Sequence, residues 1–199
     1  MKWEGEIPSK EIIEKNKELL AKYPFMEIRN IFSDEGWDGE AKYYSTAWND
    51  WENTGWVDIY RTFLLKLAQE WEKLGEASQK AFRIYDTKEK YGKLRVSVSR
   101  ENSAILDLQT VLSLTSSFTC MQCGAQPKDA KGNRIIWRST GYIIPFCKEC
   151  AKKDYLRFKQ SKKPFAKLYS KYTYKGPWTV DSYNCEEIVT RTLPNLEDF

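Results

Sequence analysis

The spacing of apolar residues predicts three helices and one pair of strands in the first part of the chain. Apolar side chains recur at helical intervals over residues 9–23, 57–74 and 102–116, and Gly75 is placed to close the second helix. On either side of residues 86–92, apolar residues alternate with polar ones, which is typical of two paired strands. The pattern therefore predicts a body in which helices accompany a β-hairpin.

Residues 25–55 show neither the helical spacing nor the strand alternation of apolar residues. This stretch is rich in Gly, Asp, Asn and Trp and has no sustained apolar repeat. A structureless loop of about thirty residues is rare inside a compact domain. We therefore expect the aromatic side chains of this stretch to pack over the core.

The pattern changes after residue 118, where two cysteine pairs flank a second predicted hairpin. Its strands are expected at residues 134–138 and 142–146, with a turn between them. The order of elements predicts an α+β fold, in which a small helix and β-hairpin body carries a zinc-ribbon-like module. The expected divisions are residues 1–117 for the α+β body, 118–152 for the four-cysteine, zinc-ribbon-like module and 153–199 for a basic, aromatic C-terminal extension.

Four cysteines give the strongest chemical signal in the chain. Cys120 and Cys123 form one CxxC pair, Cys147 and Cys150 form another, and 23 residues separate the two pairs. Each pair can present two thiolates from one tight turn, and a hairpin between the pairs brings them together as the tetrahedral set of sulfurs that zinc favours. Four protein ligands leave no open coordination position. One structural zinc ion is therefore predicted.

Other interpretations of the cysteines stay open at this point. Iron can take the same four sulfurs, the cysteines can form disulfides, or one pair can act as a redox dithiol. Disulfides suit secreted chains, but the N-terminal MKWEGEIPSK lacks the apolar stretch of a signal peptide. A redox dithiol needs only one CxxC, whereas this chain has two. The fifth cysteine, Cys185, has no partner in the sequence and is expected to be an ordinary residue.

The composition narrows the classes of function. The 199 residues include no histidine, which excludes Ser-His-Asp and Cys-His catalysis and histidine-ligated metals. The apolar fraction is 41%, which is enough to build a core. No stretch approaches the roughly 18 apolar residues of a membrane helix. We therefore expect a soluble, cytoplasmic protein that is not an enzyme.

Charge is distributed unevenly along the chain. The net charge is +4, but residues 1–74 carry ten cations against 15 acids, whereas the remainder is basic. In residues 148–178, lysines alternate with aromatic residues, a mixture that suits single-stranded nucleic acid or the backbone of a duplex. The same mixture also suits the solvated face of a helix or contact with an acidic protein. The candidate contact residues here are Lys152, Lys153, Arg157, Lys162 and Lys163.

The loop of the first predicted hairpin carries a smaller basic cluster, within KEKYGKLR at residues 88–95. Gly92 is expected to take a backbone angle that other residues disfavour. One glycine without the GxxxxGK spacing does not build a phosphate loop. Lys90 and Arg95 are therefore candidate contacts for an anion or a partner, and no nucleotide site is expected.

Four stretches of the chain together resemble a family of small phage and prophage proteins that pair an α+β body with a cysteine-pair knuckle. They are NKELLAKYPFMEIRN, KEKYGKLRV, TCMQCG and GYIIPFCKECAKK, and the resemblance covers residues 10–152. It implies that the four paired cysteines bind metal, that Lys90, Gly92 and Arg95 belong to a hairpin motif, and that the gene lies in a phage genome. Small phage proteins without catalytic residues often occupy a host nuclease or defence protein, as anti-CRISPR proteins do.

Together these features predict a non-enzymatic, zinc-stabilised binding protein of phage or prophage origin. Its expected partner in the host cytoplasm is a host protein or a protein–nucleic acid complex, and the context favours inhibition of a host defence system such as CRISPR. The alternative is direct binding of DNA or RNA by the Lys and aromatic segment 148–178, as in a regulator or a DNA-replication accessory factor. No membrane association is expected.

Overall fold

The computed structural model describes residues 4–138, 143–160 and 178–193. These residues form helices and antiparallel strands, which confirms the α+β fold class. In chain order the elements are α1 (Lys10–Lys22), α2 (Val57–Glu72), α3 (Glu76–Ala81), β1 (Ile84–Glu89), β2 (Leu94–Val98), α4 (Ser103–Ser117), β3 (Arg134–Arg138), β4 (Pro145–Phe146), α5 (Lys148–Gln160), β5 (Trp178–Tyr183) and β6 (Ile188–Leu193). Short 3-10 turns at Pro24–Met26, Gly39–Tyr43 and Ala47–Asn49 precede α2.

The predicted helices form close to their expected positions. α1 begins after Ser9, whose Oγ accepts a hydrogen bond from the Ile12 amide at 3.4 Å. α2 buries one face through Phe63, Leu64 and Leu67. This is the face that the spacing of three and four residues predicts, because residues at those intervals share one side of a helix.

The role predicted for Gly75 is wrong. Gly75 has φ −64° and ψ 152°, an extended conformation, and it is the N-cap of α3 rather than a left-handed cap at the end of α2. The two helices are tied by Trp71 and Gln79: each side chain donates a hydrogen bond to the other residue's carbonyl at 3.2 Å. α3 has six residues, too few to give a readable helical period, so the sequence did not reveal it.

The irregular stretch, residues 25–55, buries one of its aromatic residues against residues of α2 and of the segment that follows α3. Phe25 is 1% exposed, and its ring lies 5.4 Å from that of Trp71 and 5.5 Å from that of Phe82. Asn16 of α1 donates from Nδ2 to the carbonyl of Tyr43 at 2.8 Å, which holds the second 3-10 turn against that helix. The expected packing over the core is met at Phe25.

The same expectation fails at one turn of this stretch. Phe32 is 92% exposed, and the neighbouring Ile31 is 52% exposed. Trp37, Trp48 and Trp51 in the same stretch are half-buried. The stretch therefore contains aromatic residues that pack inward and one that points fully into solvent.

The chain divides into two compact units. Unit 1 comprises Met1–Glu52, Tyr60–Lys88 and Arg95–Leu112. Unit 2 comprises Asn53–Ile59, Glu89–Leu94 and Ser113–Phe199. The paired cysteines belong to unit 2, which also takes in two short stretches from earlier in the chain.

Unit 2 contains a four-stranded antiparallel sheet with the strand order β4-β3-β5-β6. Trp137 of β3 pairs with Phe146 of β4, and Ile136 of β3 pairs with Asp181 of β5. β5 and β6 come from the C-terminal extension, where the sequence pattern predicted no strands. Asp181 is 8% exposed, so that a position of β5 which the sequence marks as polar is buried.

Candidate metal centre

Four cysteine sulfurs of unit 2 converge on one point. The Sγ atoms of Cys120, Cys123, Cys147 and Cys150 all lie within 4.8 Å of one another. The Sγ atoms of Cys123 and Cys147 are 3.7 Å apart, far beyond the roughly 2.05 Å of a disulfide bond, and all four cysteines are free. The two CxxC pairs therefore meet as the spacing predicted, in an arrangement that indicates a metal ion.

The first pair sits in a tight knuckle. The Cys120 amide donates to the Ala125 carbonyl at 2.8 Å, and the Gly124 amide donates to the Cys120 carbonyl at 2.9 Å. Gly124 has φ +78°, a left-handed conformation that glycine adopts without a steric penalty. The backbone thus turns back on itself directly after Cys123, and both sulfurs of the pair leave the same turn.

The second pair is placed by the start of α5. Cys147 precedes the helix and Cys150 lies in its first turn. The Cys150 amide points to the Cys147 sulfur at 3.5 Å, and the Ala151 amide donates to the Cys147 carbonyl at 2.9 Å. Amide groups at a helix N-terminus favour negative charge, so this position supports two thiolates.

A backbone contact and a small apolar cluster hold the two pairs together. The Met121 amide donates to the Pro145 carbonyl of β4 at 2.9 Å, which links the knuckle to the strand that leads into the second pair. Cys120 and Cys150 are buried with Phe146 and Ala151, while Cys123 is exposed. The cluster is therefore shielded on one side and open to solvent on the other.

The knuckle is closed by a segment that the sequence analysis did not connect with it, Asn53–Ile59. The Gly55 amide donates to the Met121 carbonyl at 2.7 Å, and Trp56 donates from Nε1 to the Thr119 carbonyl at 3.0 Å. A Cβ atom at Gly55 would collide with backbone atoms of Gly124 and Cys120. Trp56 is fully buried. The adjacent glycine and tryptophan before α2 were the available signal, but nothing local ties them to residues more than sixty positions away.

The four thiols differ in how readily they ionise. Burial raises the pKa of Cys120 and of Cys150. Burial also acts to raise the pKa of Cys123, but hydrogen bonds from the Ala125 amide and from the other three thiols together lower it. Without an ion, one sulfur therefore ionises before the buried ones. A divalent cation stabilises several thiolates at once, so that the buried thiols can ionise as well.

The other predicted contact residues are distributed over separate parts of the chain. Lys90 and Arg95 are exposed near the turn of the β1–β2 hairpin. In α5, Lys153 is exposed and Lys152 is half-buried. Arg157 also belongs to α5, although its side chain lies outside the described part of the structure, and Lys162 and Lys163 lie outside the described residues altogether.

Gly92 has the backbone angle expected of it. Its φ is +71°, and Tyr91 before it has φ 56°. A Cβ at Gly92 would lie 2.6 Å from Arg138 Nη1 and 3.1 Å from Ile143 Cγ2. In unit 2 this glycine is therefore a point of close packing against the sheet as well as a turn residue.

Comparison with known proteins does not assign the chain to a family. No protein-family model, curated protein or solved structure matches the chain. Among the residues that the structure describes, no helix combines the length and the apolar character needed to cross a membrane. The cysteine cluster is thus the feature from which a function is argued.

Proposed function

We propose that this chain is a non-enzymatic binding protein stabilised by one structural zinc ion, and that it acts in the host cytoplasm on a host protein or a protein–nucleic acid complex. The observation that carries the proposal is the convergence of Cys120, Cys123, Cys147 and Cys150. Four protein ligands complete a tetrahedral shell and leave no position for water or substrate. An ion held in this way contributes to stability, and the surface of the protein is left to bind.

The distance between the sulfurs is compatible with a zinc ion. Sulfurs about 2.3 Å from a tetrahedral zinc ion are about 3.8 Å from one another. The Sγ atoms of Cys123 and Cys147 are 3.7 Å apart, close to that value. Iron bound by four sulfurs is the alternative, since it takes the same ligands.

The phage or prophage origin and the inhibition of a defence system such as CRISPR rest on the resemblance carried by KEKYGKLRV and the cysteine motifs. The cluster itself supports only the stabilised, non-catalytic part of the proposal. The kind of partner and the effect on that partner therefore need their own experiments.

Elemental analysis of the purified protein tests the metal. We expect one zinc per chain, and the same content in Cys185→Ser, because Cys185 is exposed and outside the cluster. Cys123→Ser should lose the ion. Iron in place of zinc would correct the identity of the ion, and the absence of both would end the proposal.

Affinity capture from bacterial host extract tests the partner. The zinc-loaded protein should retain a defined host protein that a matrix without the protein does not retain. The retained protein is then assayed with and without the zinc-loaded chain, and a loss of its activity is expected of an inhibitor. Failure of the zinc-loaded chain to retain any protein would contradict the proposal.

Direct binding of nucleic acid is a second candidate, and the turn of the β1–β2 hairpin favours it. Tyr91 is 68% exposed, and Lys90 Nζ lies 5.6 Å from the centroid of its ring. An exposed ring beside a cation can stack on a base while the cation contacts phosphate. The exposed Lys153 of α5 is a further cation in the same unit.

Fluorescence anisotropy with labelled single-stranded DNA and RNA tests this second candidate. Binding should weaken steeply as salt rises. Tyr91→Ala should weaken it roughly 5- to 100-fold, the range expected for loss of one stacked base. Phe32→Ala is the matched control, since it removes an exposed aromatic ring from an acidic part of the chain. Absence of binding at low salt would eliminate the candidate.

A further inference from the structure

The turn formed by residues 30–36 of unit 1, here named the Phe32 turn, displays apolar surface at its tip. Phe32 is 92% exposed and Ile31 is 52% exposed. Single exposed apolar residues are ordinary, whereas two adjacent ones give a contiguous apolar surface that a partner can cover. The same stretch of chain buries Phe25, so its aromatic residues do have access to a core.

Hydrogen bonds fix the shape of the Phe32 turn. The Asn30 side-chain oxygen accepts from the amides of Phe32 at 2.8 Å and Ser33 at 3.1 Å. The Asn30 amide donates to the Glu35 carbonyl at 2.9 Å, and the Asp34 amide donates to the Asn30 carbonyl at 2.9 Å. The tip is therefore held in one conformation without a partner, and a preorganised anchor loses little conformational entropy when it binds.

Arg29 braces the base of the turn from the side. Its Nη1 donates to the Asp34 carbonyl at 2.7 Å and to Asp34 Oδ2 at 3.0 Å, and its Nε donates to Glu27 Oε2 at 3.2 Å. Arg83 Nε lies 3.5 Å from the second oxygen of Asp34. Asp34 is thus held by Arg29 from the base of the turn and by Arg83 from a later part of unit 1.

The surroundings of Phe32 are acidic. Residues 27–40 contain five carboxylates and one cation, Arg29, which pairs with two of them, Glu27 and Asp34. Glu35, Asp38 and Glu40 are exposed, and Lys17 offsets Glu40 at 3.6 Å. An apolar tip within a negative field complements an apolar pocket with a positive rim, and it repels phosphate groups.

From these observations we infer that the Phe32 turn is the anchor by which this protein binds a partner protein, and that the partner offers an apolar pocket rimmed by Lys and Arg side chains. The inference deepens the proposed function and rests on it. Nucleic acid and a second copy of this chain are the competing occupants. The acidic surroundings disfavour nucleic acid because its backbone is negative, and they disfavour a second copy because two identical acidic turns repel each other.

Photo-cross-linking tests the occupant. The zinc-loaded full chain carries a benzophenone amino acid at position 32, or at position 91 as the control, and is irradiated in bacterial host extract. The cross-linked protein is identified, purified and mapped. We expect the product at position 32, formed with an apolar site flanked by Lys or Arg. A product with a second copy of this chain, a site with an acidic rim, or no product above that at position 91 would overturn the inference.

Affinity for that purified partner tests the energetics. Phe32→Ala should weaken binding roughly 30-fold or more, as loss of a central anchor does. Tyr85→Ala removes another exposed aromatic ring, on β1, and should change the affinity less than about twofold. Binding by the unchanged protein should also weaken as salt rises, because opposite charges meet at the rim.

Two further variants separate the anchor from its positioning. Asn30→Ala should weaken binding by less than Phe32→Ala, because the ring stays and only the bracing of the turn is lost. Asn30→Asp should restore most of the affinity, since a carboxylate oxygen accepts from the same amides. If the unchanged protein binds its partner and Phe32→Ala binds equally well, the inference fails while the proposed function stands. If the unchanged protein binds no partner, the proposed function itself has failed.

Discussion

The cysteine cluster and the Arg138–Asp181 pair both join distant parts of unit 2, but they do so with different chemistry. Arg138 donates from Nε to Asp181 at 2.5 Å and from Nη2 to the Ser117 carbonyl at 2.6 Å. Thr190 donates from Oγ1 to the other oxygen of Asp181 at 2.7 Å. The charges of this pair are balanced within the chain. The cluster depends on an ion from outside the chain, because a divalent cation offsets two of the four thiolate charges. One of these two links therefore depends on metal supply and the other does not.

The largest effect should come from removing the ion. Zinc bound by such sites contributes about 10–16 kcal/mol to apparent folding free energy. Treatment with a strong chelator, or Cys123→Ser, should therefore abolish cooperative folding of unit 2, measured by thermal denaturation and circular dichroism. Cys185→Ser should leave the melting temperature unchanged. An equally stable metal-free protein would show that the sheet and the ion pair are enough to fold unit 2. The cluster and the ion pair would then not differ in their dependence on metal.

Breaking the ion pair should have the next largest effect. The side chains of Arg138 and Asp181 are 10% and 12% exposed. Removing one partner of a buried pair leaves an uncompensated charge, so Arg138→Met should lower the free energy of unfolding by about 3–5 kcal/mol. The double variant Arg138→Met with Asp181→Leu should lose less than the sum of the single changes. Urea denaturation of the zinc-loaded variants measures both.

Metal content is the control for this comparison, and it should be unchanged in Arg138→Met. A loss below about 1 kcal/mol in that variant would show that water reaches the pair and screens it. Loss of zinc from the Arg138→Met variant would instead show that the cysteine cluster and the ion pair form one cooperative structure.

The cysteine cluster and the ion pair also differ in how well the sequence predicts them. The cysteines were predicted because each CxxC lies within one turn, and only the meeting of two recognisable pairs had to be inferred. Arg138 and Asp181 are 43 positions apart, and neither has a local pattern that points to the other. Asp181 also concealed its own burial, since a charged residue indicates an exposed position.

Close packing and exposure are also poorly predicted by local sequence patterns. Helices of 13 to 16 residues were predicted because their apolar period repeats several times. Gly55 was not assigned a role, because its importance comes from backbone atoms of Gly124 and Cys120 that approach it only in the fold. Phe32 was expected to be buried because a structureless loop of about thirty residues is rare inside a compact domain. Hydrogen bonds to the Asn30 side chain instead hold the turn that presents it to solvent.

A methyl group added at the knuckle should have an intermediate effect on stability. It disturbs the metal-dependent link and leaves the Arg138–Asp181 pair intact, so that the two links can be compared separately. In Gly55→Ala the new Cβ would meet Gly124 N and Cys120 O and would lie 2.8 Å from Cys123 C. These are backbone atoms that cannot move away freely. We expect a loss of about 1–3 kcal/mol, as for overpacked sites, and weaker zinc binding in a competition titration with a chromogenic chelator.

Gly75→Ala is the matched control, because nothing lies within 4 Å of a Cβ at that position and its φ is −64°. Its stability should stay within about 0.5 kcal/mol of the unchanged protein, with the same zinc affinity. If both alanine variants behave alike, close packing at Gly55 does not support the knuckle.

The smallest effect should come from Asp50 of unit 1, a half-buried carboxylate that receives hydrogen bonds from neutral hydroxyls and, unlike Asp181, none from an arginine among the described residues. Thr87 Oγ1 donates to it at 3.0 Å and the Tyr60 hydroxyl at 3.5 Å. Burial raises the pKa of Asp50. Because the folded state favours its protonated form, the stability that this group adds is present below the unfolded pKa of about 3.9 and is lost as pH rises through the higher folded pKa.

Asp50→Asn keeps an acceptor oxygen for both hydroxyls and removes the charge. The variant should therefore be more stable than the unchanged protein at neutral pH, and this advantage should shrink as pH falls toward about 4. Urea denaturation at several pH values measures the difference, with Asp107→Asn as the control for loss of an exposed charge on α4. An advantage that grows as pH falls would mean that Asp50 is stabilised as a carboxylate, and it would then resemble Asp181 rather than contrast with it.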